Sequence, residues 1–333
     1  MTLTYDNFAS TARQEANTLA EVFKGWEKPL YFLWFDGGFD FAGLFDDEPQ
    51  QRDLLAHPAL PNHPNADNET ARLLYGHCHG IPLLVHDGGW RPADGHGVLP
   101  VLFPTAVASA AGAPNALFFD CALSLNPDLK TGHWAMLTDF INGFALSPLE
   151  GLHHCLARPF PNLCEALSQF QNSEIINALG AIGEMPLLCT YLGRPGFHVT
   201  SPAEATLARA QGADLLGHDL VLQLIFGTAM AFRISSMVLA GAQFLPGTDA
   251  SRLQRNDFLE TAQFRSGQLM RTLRQALAEL EHRLDDDSHD ANSPSDVSKG
   301  HSDGSPDADE LLYQSIRRSA TRTSPLSAYL KRQ

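Results

Sequence analysis

The stretch LLCTYLGRPGFHVTSPAEATLARAQGADLLGHDLVLQLIFGTAMAFRISSMVLAG (Leu187–Gly241) decides the fold. LLCTYLG is an apolar run of strand length, and a Pro- and Gly-bearing loop follows it. A helix is expected from Pro202. The stretch as a whole reads as strand, loop, helix, short strand, helix, strand. Strands that alternate with helices, several of them apolar on both faces, predict an α/β domain whose mixed central sheet is flanked by helices on both faces. Between the short strand and the second helix lies Gly217-His218-Asp219, a turn crowded with groups able to do chemistry.

The same alternation extends outward from this stretch. Residues 4–24 carry Phe8, Ala12, Ala16, Leu19 and Phe23 at helical spacing. LYFLWF (30–35) is an apolar strand that runs straight into Asp36-Gly37-Gly38, and IPLLVHDGGW (81–90) repeats the arrangement with Asp87-Gly88-Gly89. Strand ends that open into Gly-rich turns are where α/β folds hold ligands. LPVLFPTAVASAAG (99–112) reads as an Ala-rich helix, NALFFDCAL (115–123) as a buried strand, and SLNPDLKTGHWAMLTDFI as a turn into another strand. Residues 45–70 are acidic, Pro-rich and loop-like. A helix is expected over about 163–181, and a long amphipathic one from Asp257 to about Leu284.

These features predict one domain over residues 1–284. Residues 285–310 hold nine acidic residues, one lysine and almost nothing apolar, which predicts a disordered linker. The final segment, 311–333, has five basic residues and no acidic one. It reads as a basic tail that is either floppy or docked on its own core or on a partner.

The formal charge of −15 argues against nucleic acid as a partner, because binding phosphates needs clustered Lys and Arg. No apolar run of spanning length and no leader pattern is present, so neither a membrane partner nor export is expected. Five cysteines without CxxC spacing fit free thiols in a reducing cytoplasm. GHCHG (76–80) would place His77 and His79 on one face of a strand and Cys78 on the other, but together with His86 and His96 they match no standard metal-ligand spacing; neither does His153-His154-Cys155. Loop histidines are the expectation, with no metal and no cofactor. Trp90 is either a stacking surface for a planar ligand or a rim-packing aromatic.

Three segments carry a family resemblance. TYDNFASTA near the start, DCALSLNPDLKTGHWAMLTDFIN (120–142) and PAEATLARAQGADLLGHDLVLQLI (202–225) together resemble the trimeric purine nucleoside phosphorylases and methylthioadenosine phosphorylases, collinearly over about residues 4–282. The resemblance implies that fold, a small nucleoside-like ligand and a homotrimer in which Phe160 reaches a neighbour's sugar site.

At the positions where the family places its chemistry, this chain differs. The Gly-Ser-Gly phosphate loop is replaced by Asp36-Gly37-Gly38. The family's phosphate-binding Arg and His fall at Gly89 and Arg91, with Trp90 between them. The Asn-Ala-Ala segment reads Asp120-Cys121-Ala122, and the purine-binding Glu aligns with Thr200. A Met-Ser pair becomes His218-Asp219, the base-binding Thr-Asn pair becomes Met237-Val238, and a His near the start of the last helix becomes Arg255.

Phosphorolysis needs a phosphate dianion held by donors and positive charge. A carboxylate at Asp219 about 4 Å from such an anion costs roughly 4 kcal/mol per charge pair at an effective dielectric near 20. An apolar Val238 supplies no hydrogen bond to a base. Phosphate as a co-substrate is therefore disfavoured, and three readings stand. The first is a diverged glycosidic-bond enzyme with Arg91 as its anion contact. The second is a phosphate-independent hydrolase in which Asp219 or Asp87 orients a water. The third is a non-catalytic binding or assembly subunit.

Overall fold

The structure is a computed structural model; it describes residues 2–23, 28–36, 38–66, 69–196, 198–245 and 253–290. Gly37, the acidic segment from 291 to 310 and the basic tail 311–333 lie outside the described residues.

Helix α1 (Phe8–Phe23) leads to β1 (Tyr31–Phe35), and a hairpin-linked pair, β3 (Ala71–Cys78) and β4 (Ile81–Gly88), follows the short β2 (Gln50–Asp53). Helix α2 (Leu99–Ala110), β5 (Asn115–Ser124), β6 (Trp134–Asn142) and α3 (Gln169–Ala181) come next. The decisive stretch supplies β7 (Leu187–Gly193), α4 (Pro202–Ala210), β8 (Leu215–Gly217), α5 (Leu220–Ala229) and β9 (Arg233–Gln243), and α6 (Arg255–Asp290) closes the chain.

The strands form one mixed sheet in the order β2-β3-β4-β1-β5-β8-β7-β6-β9. Strand β9 pairs antiparallel with β6 and also parallel with β5, so the far end of the sheet curls back and closes on its middle. On one face α1, α2 and α5 pack through Phe8, Phe103 and Phe226, with edge-on ring contacts at 6.4 and 6.0 Å. On the other, Ile175 and Leu179 of α3 and Leu269 and Leu273 of α6 cover Phe35, Leu83 and Phe119. Each such side chain contributes about 1.5–3 kcal/mol by leaving water. Apolar strands thus become the buried interior of a two-sided sandwich, as their composition requires.

The local reading differs at four places. Residues 50–53 form an edge strand rather than loop; QQRD has no apolar alternation to signal it, and all four residues are exposed. Helix α3 starts at Gln169, where the Ser168 hydroxyl accepts the Gln171 N–H, and only a 3-10 turn occupies Leu163–Glu165. Helix α6 continues through Asp290, so the expected boundary at Leu284 falls inside it. His77 and His79 do not share a strand face: His77 belongs to β3, while His79 sits in the hairpin turn at φ 52°.

Candidate functional site

The ends of β1, β5, β7 and β8 converge beneath the first turns of α6 and leave a cavity of about 160 Å³. Strand register explains its polar wall. Phe35 of β1 lies beside Phe119 of β5 in parallel pairing, so the residues that follow, Asp36 and Asp120, emerge side by side. Gly193 of β7 pairs with Gly217 of β8, which sets Arg194 and His218 next to each other. The backbone confirms this adjacency: His218 Nδ1 lies 3.1 Å from the Arg194 carbonyl oxygen.

Asp120 is 3% exposed and tightly held. Its Oδ2 accepts the Tyr191 hydroxyl at 2.6 Å, and its Oδ1 accepts the Cys121 N–H at 2.7 Å. Gly217 makes this contact possible, because a β-carbon there would overlap the Tyr191 hydroxyl and come within 2.9 Å of Asp120 Oδ2. Burial, and then the neighbouring Asp36 charge, push the Asp120 carboxyl up to about 7, against the lowering effect of its hydrogen bonds. The same burial raises Tyr191 and Cys121 well above their ordinary values.

Arg91 is the electrostatic centre. Its guanidinium lies 3.2 Å from Asp36, 3.6 Å from Asp219 and 3.9 Å from Glu69. Glu69 in turn takes Arg255, the first residue of α6, at 2.6 Å. Asp36 above all holds Arg91 in its charged form. Asp219 is 3% exposed and its Oδ2 has no hydrogen bond. Burial and the Asp36 charge outweigh the attraction of Arg91, so the Asp219 carboxyl is pushed well above the usual range.

A second guanidinium, Arg194, meets Glu204 at 2.6 Å. Glu204 also caps α4 reciprocally with Ser201, accepting the Ser201 N–H at 2.8 Å while the serine hydroxyl accepts its own N–H. The Pro-Ala-Glu helix start is therefore an anchor for a cavity-lining arginine as well as a cap.

Of the residues singled out in the sequence, Asp36, Arg91, Asp120, Cys121 and Ala122 line the cavity, as do Thr200, His218 and Arg255. Asp219 stands behind Arg91. Asp87 is elsewhere: it pairs in register with Phe35, one position before Asp36, so pleat alternation turns it to the other face, where Arg72 holds it at 3.0 Å. Gly89 abuts the buried His86 ring, and Trp90 is packed against His63 with ring centroids 5.5 Å apart, so Trp90 is a buried packing aromatic rather than a stacking surface. Met237 and Val238 are wholly buried inside β9 and do not line the cavity. Gly38, at φ 78°, lies against Leu259 of α6. Phe160 is 99% exposed and outside the cavity of its own chain.

Sequence reading missed Glu69, Arg194, Tyr191 and the apolar cover from α6, Phe258 and Leu259. Arg194, placed directly after a strand, carried a usable signal. Glu69 carried none, since only folding brings that acidic stretch over Arg91. Among the described residues no group of three or more His, Cys, Asp or Glu is placed to hold a metal ion, and no helix is long and apolar enough to cross a membrane.

Comparison with known proteins fits this geometry. The profile of the phosphorylase superfamily matches residues 45–277. The chain is 26% identical over 186 residues to purine nucleoside phosphorylase 1 of Geobacillus stearothermophilus, covering 55% of this chain and 68% of that protein. It is 28% identical over 177 residues to the purine nucleoside phosphorylase of Mycobacterium leprae, covering 53% of this chain and 62% of that one, which is less than two thirds of its length. Among solved structures, a schistosoma purine nucleoside phosphorylase in complex with hypoxanthine superposes with a TM-score of 0.68 at 16% identity, over 80% of this chain and 96% of that one. The Schistosoma mansoni enzyme in complex with adenosine gives 0.68 at 17% identity, with the same coverage.

Proposed function

The chain belongs to the phosphorylase superfamily, and from that premise we propose that its cavity binds a nucleoside-like molecule without using phosphate. One observation carries the second half of this reading: Arg91, the cation best placed to receive phosphate, is already enclosed by Asp36, Asp219 and Glu69. A dianion entering there would meet carboxylates before it met free positive charge. The nucleoside half rests on the fold, shared with relatives that are purine nucleoside phosphorylases, and on a cavity whose polar rim faces apolar Leu216, Phe258 and Leu259.

Any bond cleavage would then use water, and one feature favours that chemistry. Asp120 lines the cavity with a carboxyl pushed up to about 7, the range in which a general base or acid works near neutral pH. The bond broken would be glycosidic. The assembly we propose is a homotrimer, supported by the full exposure of Phe160, which is free to reach a neighbouring subunit.

A nucleoside panel tests the proposal. Thermal shift reads binding, and chromatography of the released base, with and without phosphate, reads cleavage. Stabilisation by a nucleoside, with base release absent or equal in both buffers, is the expected result. Release that requires phosphate sinks the reading. Light scattering on the purified protein tests the trimer.

A further inference from the structure

The cavity wall offers acceptors, and its cations are already paired, although the Arg194 Nε hydrogen is buried without an acceptor. Each guanidinium that lines it has a carboxylate: Arg91 has three, Arg255 has Glu69 at 2.6 Å, and Arg194 has Glu204 at 2.6 Å. The Arg194 carbonyl oxygen can only accept, so His218 Nδ1 carries the hydrogen of their 3.1 Å contact. Burial above all disfavours the charged ring, so His218 Nε2 holds a lone pair and no proton. The Tyr191 hydroxyl, the donor nearest Asp120, is already given to it.

Against these, Asp36 and Asp120 face the cavity, and Asp219 adds a buried oxygen without a hydrogen bond behind Arg91. Asp36, Glu69 and, above about pH 7, Asp120 thus outnumber the two cations Arg91 and Arg255. A neutral ligand would leave this imbalance in place, and an anion would deepen it. A cation would offset it.

We propose that the cavity selects an amine-bearing, positively charged nucleoside-like ligand, whose ammonium group is received by Asp36 and Asp120. The inference rests on the nucleoside reading above and adds the charge of the ligand to it. Val199, Leu216, Phe258 and Leu259 supply the apolar surface for the rest of the molecule. Charge-assisted hydrogen bonds to two carboxylates favour the ammonium over a hydroxyl by roughly 10- to 100-fold.

Isothermal titration of the full-length protein at pH 8 tests this with three probes: adenosine, 5′-amino-5′-deoxyadenosine and adenosine 5′-monophosphate. The amine is expected to bind at least about 10-fold tighter than adenosine, and the monophosphate weakest of all. Asp36→Asn and Asp120→Asn should each narrow the amine-to-adenosine ratio, with circular dichroism confirming that both variants fold. Equal binding of amine and adenosine, tighter binding of the monophosphate, or a ratio unchanged in both variants overturns the inference and leaves the nucleoside reading standing. Should no nucleoside bind, the nucleoside reading fails, and titration with spermidine reads the charge preference alone. Spermidine binding lost in Asp36→Asn upholds that preference, and spermidine binding that is absent or indifferent to the variant overturns it.

Discussion

Replacing Asp120 with Asn should make this protein more stable in alkaline than in acid conditions, relative to the wild type. The folded carboxyl is pushed up to about 7, chiefly by burial, from an ordinary value of 3.8. Below 3.8 it is protonated in both folded and unfolded chains, and its contribution to folding is at its best. As pH rises from 3.8 towards 7, the unfolded chain releases the proton while the folded one keeps it, and folding becomes steadily less favourable. Above 7 the full penalty is in force, about 4 kcal/mol at 1.36 kcal/mol per unit. Between pH 5 and pH 8 the wild type should therefore lose about 2–3 kcal/mol through this one group. Asn has no such proton. Its carbonyl can still accept the Tyr191 hydroxyl, but the acceptor for the Cys121 N–H is lost, a cost of about 1 kcal/mol at either pH. Urea unfolding of both proteins at pH 5 and pH 8 gives the four free energies needed. A variant-minus-wild-type difference that rises by about 2–3 kcal/mol from pH 5 to pH 8 is expected. Parallel profiles would refute the assignment of a buried, proton-holding carboxyl to this position.

Three other perturbations follow from the same cluster. Arg91→Met should destabilise by about 3–5 kcal/mol, seen as a lower urea midpoint, because Asp36, Asp219 and Glu69 lose their shared cation. The double variant Asp36→Asn/Asp219→Asn leaves Arg91 less fully neutralised, and thermal shift should then show a phosphate-dependent stabilisation that the wild type lacks. Gly217→Ala should destabilise by about 1–3 kcal/mol, read as a lower urea midpoint, and weaken ligand binding, since the added methyl displaces Tyr191 from Asp120.

The sequence exposed the scaffold more fully than the site, for a physical reason. Apolar runs such as LLCTYLG are local signals, and the elements of the decisive stretch follow in the expected order of strand, helix, short strand, helix and strand. Asp36, Asp120 and His218 were legible because they end or interrupt buried strands. Their partnerships were not. Whether Arg91 meets phosphate or three carboxylates depends on where Glu69 and Asp219 arrive after folding, and neighbouring letters carry no record of that. Asp87 shows the converse error: in sequence it repeats Asp36, yet pleat parity sends it to Arg72. Met237 and Val238 match the family's base-binding positions in order along the chain, but β9 holds both side chains inside the core.

The most direct test is isothermal titration of the wild-type protein with inorganic phosphate at pH 8, alone and with a nucleoside present. A cavity whose central arginine is enclosed by three carboxylates should bind phosphate no more tightly than roughly 10 mM, with no gain from the nucleoside. Saturable phosphate binding below about 1 mM, strengthened by the nucleoside, would contradict the account and restore phosphorolysis as the chemistry of this site.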